Sequence, residues 1–257
     1  MNLIFFKALI CILVAGLVCC TSQPSSPTEK QETKETIDHA RLWIQQEPVN
    51  IAIPADSVGK AELTRNFYFI MDGSGSMREP TSRNCGGDQQ FINKIIGARW
   101  AIKKFLENVP GDVNIGLYVF DSLGRREVVP LGTNNRDAFL KAVDDIDAGG
   151  GTPLARAISY GTDRLVDQYK KQLGYGEFRL VVVTDGIADN IPAAALYAAK
   201  YGIPIYAIGL CVEENHPLRQ FSVSYQAADS FADLSKRLSE TLAELPNFDI
   251  TQFDTQQ

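Results

Sequence analysis

Phe67-Tyr68-Phe69-Ile70-Met71-Asp72-Gly73-Ser74-Gly75-Ser76 is the stretch on which the reading of this chain turns: five apolar residues in a row, then a carboxylate and two hydroxyls spaced by glycines. A short unbroken apolar run reads as a strand buried on both faces, which puts the oxygen-bearing side chains at its carboxyl end. Glycines between them let the backbone bend so that alternate side chains converge on one point, and the result reads as a cradle for a cation. Two more oxygen-bearing turns stand at comparable places. Gly149-Gly150-Gly151-Thr152-Pro153 opens a helical stretch, and Thr184-Asp185-Gly186 closes a second apolar run. Each has an ordinary reading alone: a Gly/Ser turn, a Thr cap with Pro at the first helical position, an Asp-Gly turn. Their joint occurrence, each beside an apolar strand or a helix start, favours one metal site built from three loops.

Outward from this stretch, apolar runs alternate with helical periodicity, the pattern of a sheet covered on both faces. Strands are expected over 67–72, 113–120, 125–131, 178–184, 203–210 and 221–226. Between them Phe91, Ile95, Ala98, Ile102, Phe105 and Val109 share one helical face, as do Phe139, Val143 and Ile146, then Leu154, Ile158, Gly161, Leu165 and Tyr169. An Ala-rich helix spans 191–201, and a last one carries Phe231, Leu234, Leu238 and Leu245, capped by Asp229 or Ser230. The link Asp121-Ser122-Leu123-Gly124 is too short for a crossover, so strands two and three form an antiparallel hairpin. The fold class is therefore α/β: a doubly wound, mostly parallel sheet of about six strands with one antiparallel edge strand. Such sheets bind ligands at the carboxyl ends of their strands, where all three oxygen-rich loops lie. Asp121 reads as a hairpin-turn residue, Asp189 and Asn190 as caps of the following helix, and Trp100 and Phe105 as core.

At the other end of the chain, Lys7 precedes an apolar stretch from Ala8 to Val18. It is too short to span a bilayer and reads as a secretion signal. Leu17-Val18-Cys19-Cys20, followed by an abrupt polar turn, resembles the lipobox of bacterial lipoproteins with Cys20 as the lipidated residue. Cys19 departs from the small residue usual there. The organisation expected is a signal peptide over 1–19, an anchor, flexible Ser/Thr/Pro/Glu-rich tether and lead-in over 20–60, a folded domain over 61–247 and a polar tail over 248–257. The lead-in includes a short helix around Ile37 to Ile44. Cell-envelope attachment follows, and the absence of Asp after Cys20 resembles lipoproteins sent to an outer membrane. Cys11 and Cys19 leave with the signal, so Cys85 and Cys211 remain, both in loops after strands running toward one sheet edge. In an exported compartment they are expected to pair.

From about Asn66 to Leu245 the chain resembles a von Willebrand factor type A domain. That family's metal-ion-dependent adhesion site is written Asp-x-Ser-x-Ser, then Thr, then Asp. Asp72, Ser74, Ser76, Thr152 and Asp185 fill it without substitution. The resemblance implies that the serines and threonine ligate the ion directly while the aspartates often act through water. It also implies a loop that moves when ligand binds. An all-oxygen donor set suits a hard divalent cation, Mg²⁺ first, with Mn²⁺ or Ca²⁺ as substitutes. Because three of the five donors are neutral hydroxyls, the bound ion keeps positive charge for the carboxylate of an acidic protein partner.

A net charge of −6 with no basic cluster argues against a nucleic-acid partner. His39 and His216 are the only histidines, both read as solvated loop residues, so a Ser-His triad or a His-bound zinc lacks material. The expected function is a non-enzymatic, membrane-anchored binding module. Two alternatives stand beside it: a structural envelope lipoprotein whose metal only stiffens its loops, and a Mg²⁺-dependent phosphohydrolase. The second lacks a nucleophile or base, and Arg78 and Arg83 are the only cationic residues in the three loops.

Overall fold

The computed structural model describes residues 50–53, 55, 59–81, 91–186, 188, 190–212, 216–228 and 230–242. The leader with Cys20, the tether, the helix expected around 37–44, His39, Cys85, Asp189, Asp229, Leu245 and the C-terminal tail lie outside them. Strands β1 (Arg65–Asp72), β2 (Asn114–Asp121), β3 (Gly124–Gly132), β4 (Glu177–Thr184), β5 (Ile205–Leu210) and β6 (Ser224–Ala228) form one sheet in the order β3-β2-β1-β4-β5-β6. Only β2 and β3 pair antiparallel, across the Ser122-Leu123 turn. The other neighbours are parallel.

β1 is apolar on both faces because both are covered. Phe67, Phe69 and Met71 enter one core with helices α1 (Lys94–Leu106), α2 (Arg136–Asp144) and α6 (Phe231–Leu242). Tyr68 and Ile70 enter the other, with α3 (Leu154–Lys171), α4 (Ile191–Lys200) and the single turn α5 (Leu218–Phe221). α6 is started by Ser230, whose Oγ accepts the Asp233 amide at 3.0 Å and donates to the Asp233 carboxylate at 2.9 Å.

Some boundaries differ from expectation for local reasons. β5 begins at Ile205 rather than Ile203, since Pro204 has no N–H and contributes only its carbonyl, which accepts from Leu180. Phe221, expected to open β6, instead closes α5, where Ser222 Oγ donates to the Leu218 carbonyl at 2.7 Å. Asn190 takes the N-cap position of α4 but in left-handed backbone, φ 60°, with no side-chain cap bond. Trp100 sits at the core margin with its ring against Phe91, whereas Phe105 is fully buried.

Gly97 looks out of place inside α1, where glycine costs about 1 kcal/mol relative to alanine. Its absent side chain is what lets α6 approach: a Cβ there would stand 2.3 Å from the Phe231 ring. Gly97→Ala is therefore expected to destabilise the protein by about 1–3 kcal/mol despite its better helix propensity. Chemical denaturation checks this, and a neutral or stabilising result would contradict the packing.

Candidate metal centre

The strand order makes β1 the switch point. The chain leaves it for β2 on one side and later returns to β4 on the other, so the carboxyl ends of β1 and β4 lie together. The register pairs Met71 with Val183, which brings Asp72 beside Thr184. Thr184 Oγ1 donates to Asp72 Oδ2 at 2.6 Å, and the Ser74 amide donates to Asp72 Oδ1 at 2.8 Å. Ser74 Oγ lies 3.0 Å from Ser76 Oγ, and Ser76 Oγ donates to Asp185 Oδ1 at 2.7 Å. Thr152 completes the group: a Cβ placed on Gly186 would lie 3.6 Å from Thr152 Oγ1 and 3.9 Å from Asp72 Oδ2. Asp72, Ser74, Ser76, Thr152 and Asp185 thus converge from three loops.

Backbone hydrogen bonds hold the loops in that arrangement. Gly73 N–H donates to the Phe120 carbonyl at 2.9 Å, Gly149 N–H to Gly73 at 2.8 Å, and Gly75 N–H to Gly150 at 3.0 Å. Of the glycines expected to give the loops backbone freedom, Gly73, Gly75 and the run Gly149 to Gly151, Gly150 takes left-handed backbone, φ 78°. Gly73 supplies room instead, since a Cβ there would stand 2.7 Å from Ile146 Cγ2. Asp121 is a hairpin residue as expected: it ends β2, and its carboxylate accepts Arg126 at 2.6 and 3.1 Å and the Leu123 amide at 2.9 Å. Beside Thr152 an open cleft of about 820 Å³ runs between the hairpin tip and Gly150 to Pro153.

Three residues beside these donors carry little local signal of their role. Thr184 belongs to the quoted turn, yet its orienting bond to Asp72 depends on strand register. His216 is buried, 3 % exposed, rather than solvated. Its Nδ1 accepts the Leu218 amide at 3.1 Å, which leaves Nε2 to carry the proton donated to the Gly186 carbonyl at 2.8 Å. Its ring also stacks on Tyr225. Lys94 reaches from the first turn of α1 to Asp185 Oδ2 at 2.9 Å and Glu79 Oε2 at 2.9 Å. The one hint is that Lys94 begins a helix with no acidic residue in its first turn, a place where the helix dipole disfavours a cation.

Among the described residues no three His, Cys, Asp or Glu side chains cluster as metal ligands, so a metal held here depends on the hydroxyls. The spacing suits that. Neighbouring ligands of a magnesium octahedron at about 2.1 Å from the ion stand about 3 Å apart, close to the 3.0 Å between Ser74 Oγ and Ser76 Oγ. A serine that offers a lone pair to the ion keeps its proton for a carboxylate behind it, and Ser76 already donates to Asp185. Ser74, Ser76 and Thr152 are the residues that would hold the ion, backed by Asp72 and Asp185.

Burial pushes the Asp72 carboxyl above its ordinary value of 3.8, against the opposing pull of hydrogen bonds from Ser74 and Thr184. For Lys94, burial works to lower the ammonium, but hydrogen bonds to Glu79 and Asp185 outweigh it and hold the group above its ordinary 10.5. In metal-free protein, between 3.8 and the raised folded value, native Asp72 holds a proton that the unfolded chain has released. Its contribution to stability therefore falls as pH rises through that window. Urea denaturation in chelator across pH is expected to show this fall for wild type relative to Asp72→Asn. Parallel profiles would contradict it.

Cys211, just after β5, is disulfide-bonded, and its partner lies outside the described residues. Comparison with known proteins places the chain among relatives. It is 27 % identical over 187 residues to the magnesium-chelatase 67 kDa subunit of Chlorobaculum tepidum, covering 72 % of this chain and 26 % of that protein. The chain thus spans about a quarter of that relative's length. It is 24 % identical over 221 residues to the uncharacterized protein YwmC of Bacillus subtilis, covering 80 % and 81 % of the two chains. Among solved structures, the pilus adhesin SpaC of Lactobacillus rhamnosus GG shares the fold, with a TM-score of 0.53, 17 % identity and coverage of 71 % of this chain and 31 % of that one. The von Willebrand factor type A domain family matches residues 66–245. With that match across most of the chain and the mostly parallel sheet beneath it, the chain belongs to the von Willebrand factor type A domain family.

Proposed function

We propose that this protein is a non-enzymatic, membrane-anchored binding module that captures an acidic side chain of a protein partner through a divalent metal. The ion is Mg²⁺, with Mn²⁺ or Ca²⁺ as substitutes, held by Ser74, Ser76 and Thr152 with Asp72 and Asp185 behind them. The observation that carries this reading is the hydrogen-bonded run of oxygens Ser74, Ser76 and Asp185 at the mouth of two adjacent parallel strands. Family membership supports its coarser part, a protein-interaction module. The ion supplies a local positive centre on a chain whose net charge is −6. The protein's own groups orient it: Thr184 and the Ser74 amide fix Asp72, and Ser76 and Lys94 fix Asp185.

Attachment in this reading comes from lipid on Cys20, with the following residues as a tether, and the module works in the cell envelope of a bacterium. Among the described residues no helix is long and apolar enough to cross a membrane. Pairing of Cys211 with Cys85 would brace the loop after β1. A phosphohydrolase reading fits less well: His216 has both ring nitrogens engaged and is buried, which leaves it unsuited as a general base.

Calorimetric titration of Mg²⁺ and Mn²⁺ into the protein is expected to show one site that Asp72→Ala removes while the fold, followed by circular dichroism, persists. A short acidic peptide is expected to bind only in the presence of the metal. Equal uptake by Asp72→Ala, or peptide binding unchanged in chelator, would contradict the mechanism. Turnover of phosphate esters that depends on Mg²⁺ would instead favour the hydrolase. For the anchor, Cys20→Ser is expected to move the protein from the membrane pellet to the soluble fraction, and unchanged pelleting would refute lipidation at that residue.

A further inference from the structure

We propose that Lys94 is a resident counter-cation of the metal centre, one that weakens the hold on the metal alone and strengthens the hold on the acidic partner. This rests on the metal-dependent reading above and deepens it. Asp185 divides its two oxygens between two neighbours. Oδ1 accepts the Ser76 hydroxyl at 2.7 Å, on the side of the other donors, and Oδ2 accepts the Lys94 ammonium at 2.9 Å. The Asp185 side chain is fully shielded and that of Lys94 is 13 % exposed, whereas Glu79, the lysine's second partner, is 62 % exposed. Lys94 therefore couples strongly to Asp185 across a low dielectric and only weakly to the water-screened Glu79.

The placement is built in rather than incidental. Glu79 accepts the Lys94 amide through its carbonyl at 3.1 Å and the Lys94 ammonium through its carboxylate, so the residue is gripped at both ends. As the first residue of α1, Lys94 stands where the helix repels a cation. The helix offers it no compensating acid, and the carboxylates from two loops do.

The charge count gives the consequence. In the loaded state, ionised Asp72 and Asp185 contribute two negative charges, the metal two positive and Lys94 one positive. The centre is then left with one positive charge that a partner carboxylate neutralises. Without Lys94 the loaded centre is neutral and an arriving carboxylate makes it negative, at an ion pair site shielded from water. Lys94 also repels the metal itself. Its removal should hence move the two affinities in opposite directions, which a purely structural role for Lys94 would not do.

The test is calorimetry on the full exported protein with Mg²⁺ alone, and then with a short peptide bearing one aspartate at saturating Mg²⁺. Lys94→Gln is expected to bind Mg²⁺ alone about threefold to tenfold tighter and the peptide about tenfold weaker, with Lys94→Arg close to wild type. Glu79→Gln, at a side chain that is 62 % exposed, leaves the Lys94 charge less neutralised. It is expected to shift both affinities in the reverse sense by about twofold, and it keeps the test decisive if Lys94→Gln fails to fold. If wild type binds Mg²⁺ and peptide but these variants leave both affinities unchanged, or move them in the same direction, the assignment of Lys94 is overturned while the metal-dependent reading stands. If wild type takes up no Mg²⁺, both are overturned.

Discussion

Asp72 is a carboxylate with no access to water at the end of the central strand, and much of the structure can be understood as the cost of keeping it there. A buried charge without partners is expelled or neutralised, so Asp72 needs donors, and it draws them from two chain segments: the amide two residues on and the hydroxyl of Thr184 on β4. The second donor exists only because β1 and β4 are neighbours in register. That pairing brings the two loops into one place, and Asp185 follows Thr184 directly into the same group of oxygens. A metal suits this arrangement because it relieves the crowding of two carboxylates that share a shielded site.

The third loop is attached by backbone rather than by charge. The bonds Gly149 to Gly73 and Gly75 to Gly150 staple the glycine run to the cradle, and Thr152 arrives as the first polar residue beyond it. A side chain is kept out of this seam at Gly73 by Ile146 and Asp121, and out of the contact between α1 and α6 at Gly97 by Phe231. The helices thereby come close to the sheet without pushing the loops apart, so packing in the cores and geometry at the site are one problem.

Much of this was legible in the residues themselves. β1 could be read because its burial on both faces leaves a continuous apolar run, and the hairpin because the link Asp121-Ser122-Leu123-Gly124 is too short for a crossover. The three loops could be read because their oxygens and glycines sit beside those strands. Lys94 and His216 could not, since each acts across 91 and 30 residues of separation, on Asp185 and on the Gly186 carbonyl, and nothing in their immediate neighbours announces such a partner. The start of β6 differs because Phe221, Val223 and Tyr225 alternate with polar residues, a pattern that suits a strand from Phe221 onward, whereas Phe221 closes α5. Glycine patterning pointed to backbone freedom, which appears at Gly150 as left-handed backbone, while the close approach of Ile146 to Gly73 was not legible because it depends on tertiary packing.

The most direct test of three loops meeting on one ion is a crystal structure of the protein grown with Mn²⁺, whose anomalous scattering marks the metal without reference to the protein atoms. A single peak bonded to the Ser74, Ser76 and Thr152 hydroxyls, with Lys94 still paired to Asp185, is the predicted result. A manganese peak elsewhere, or none while the Ser76 hydroxyl still donates to Asp185, would contradict the account.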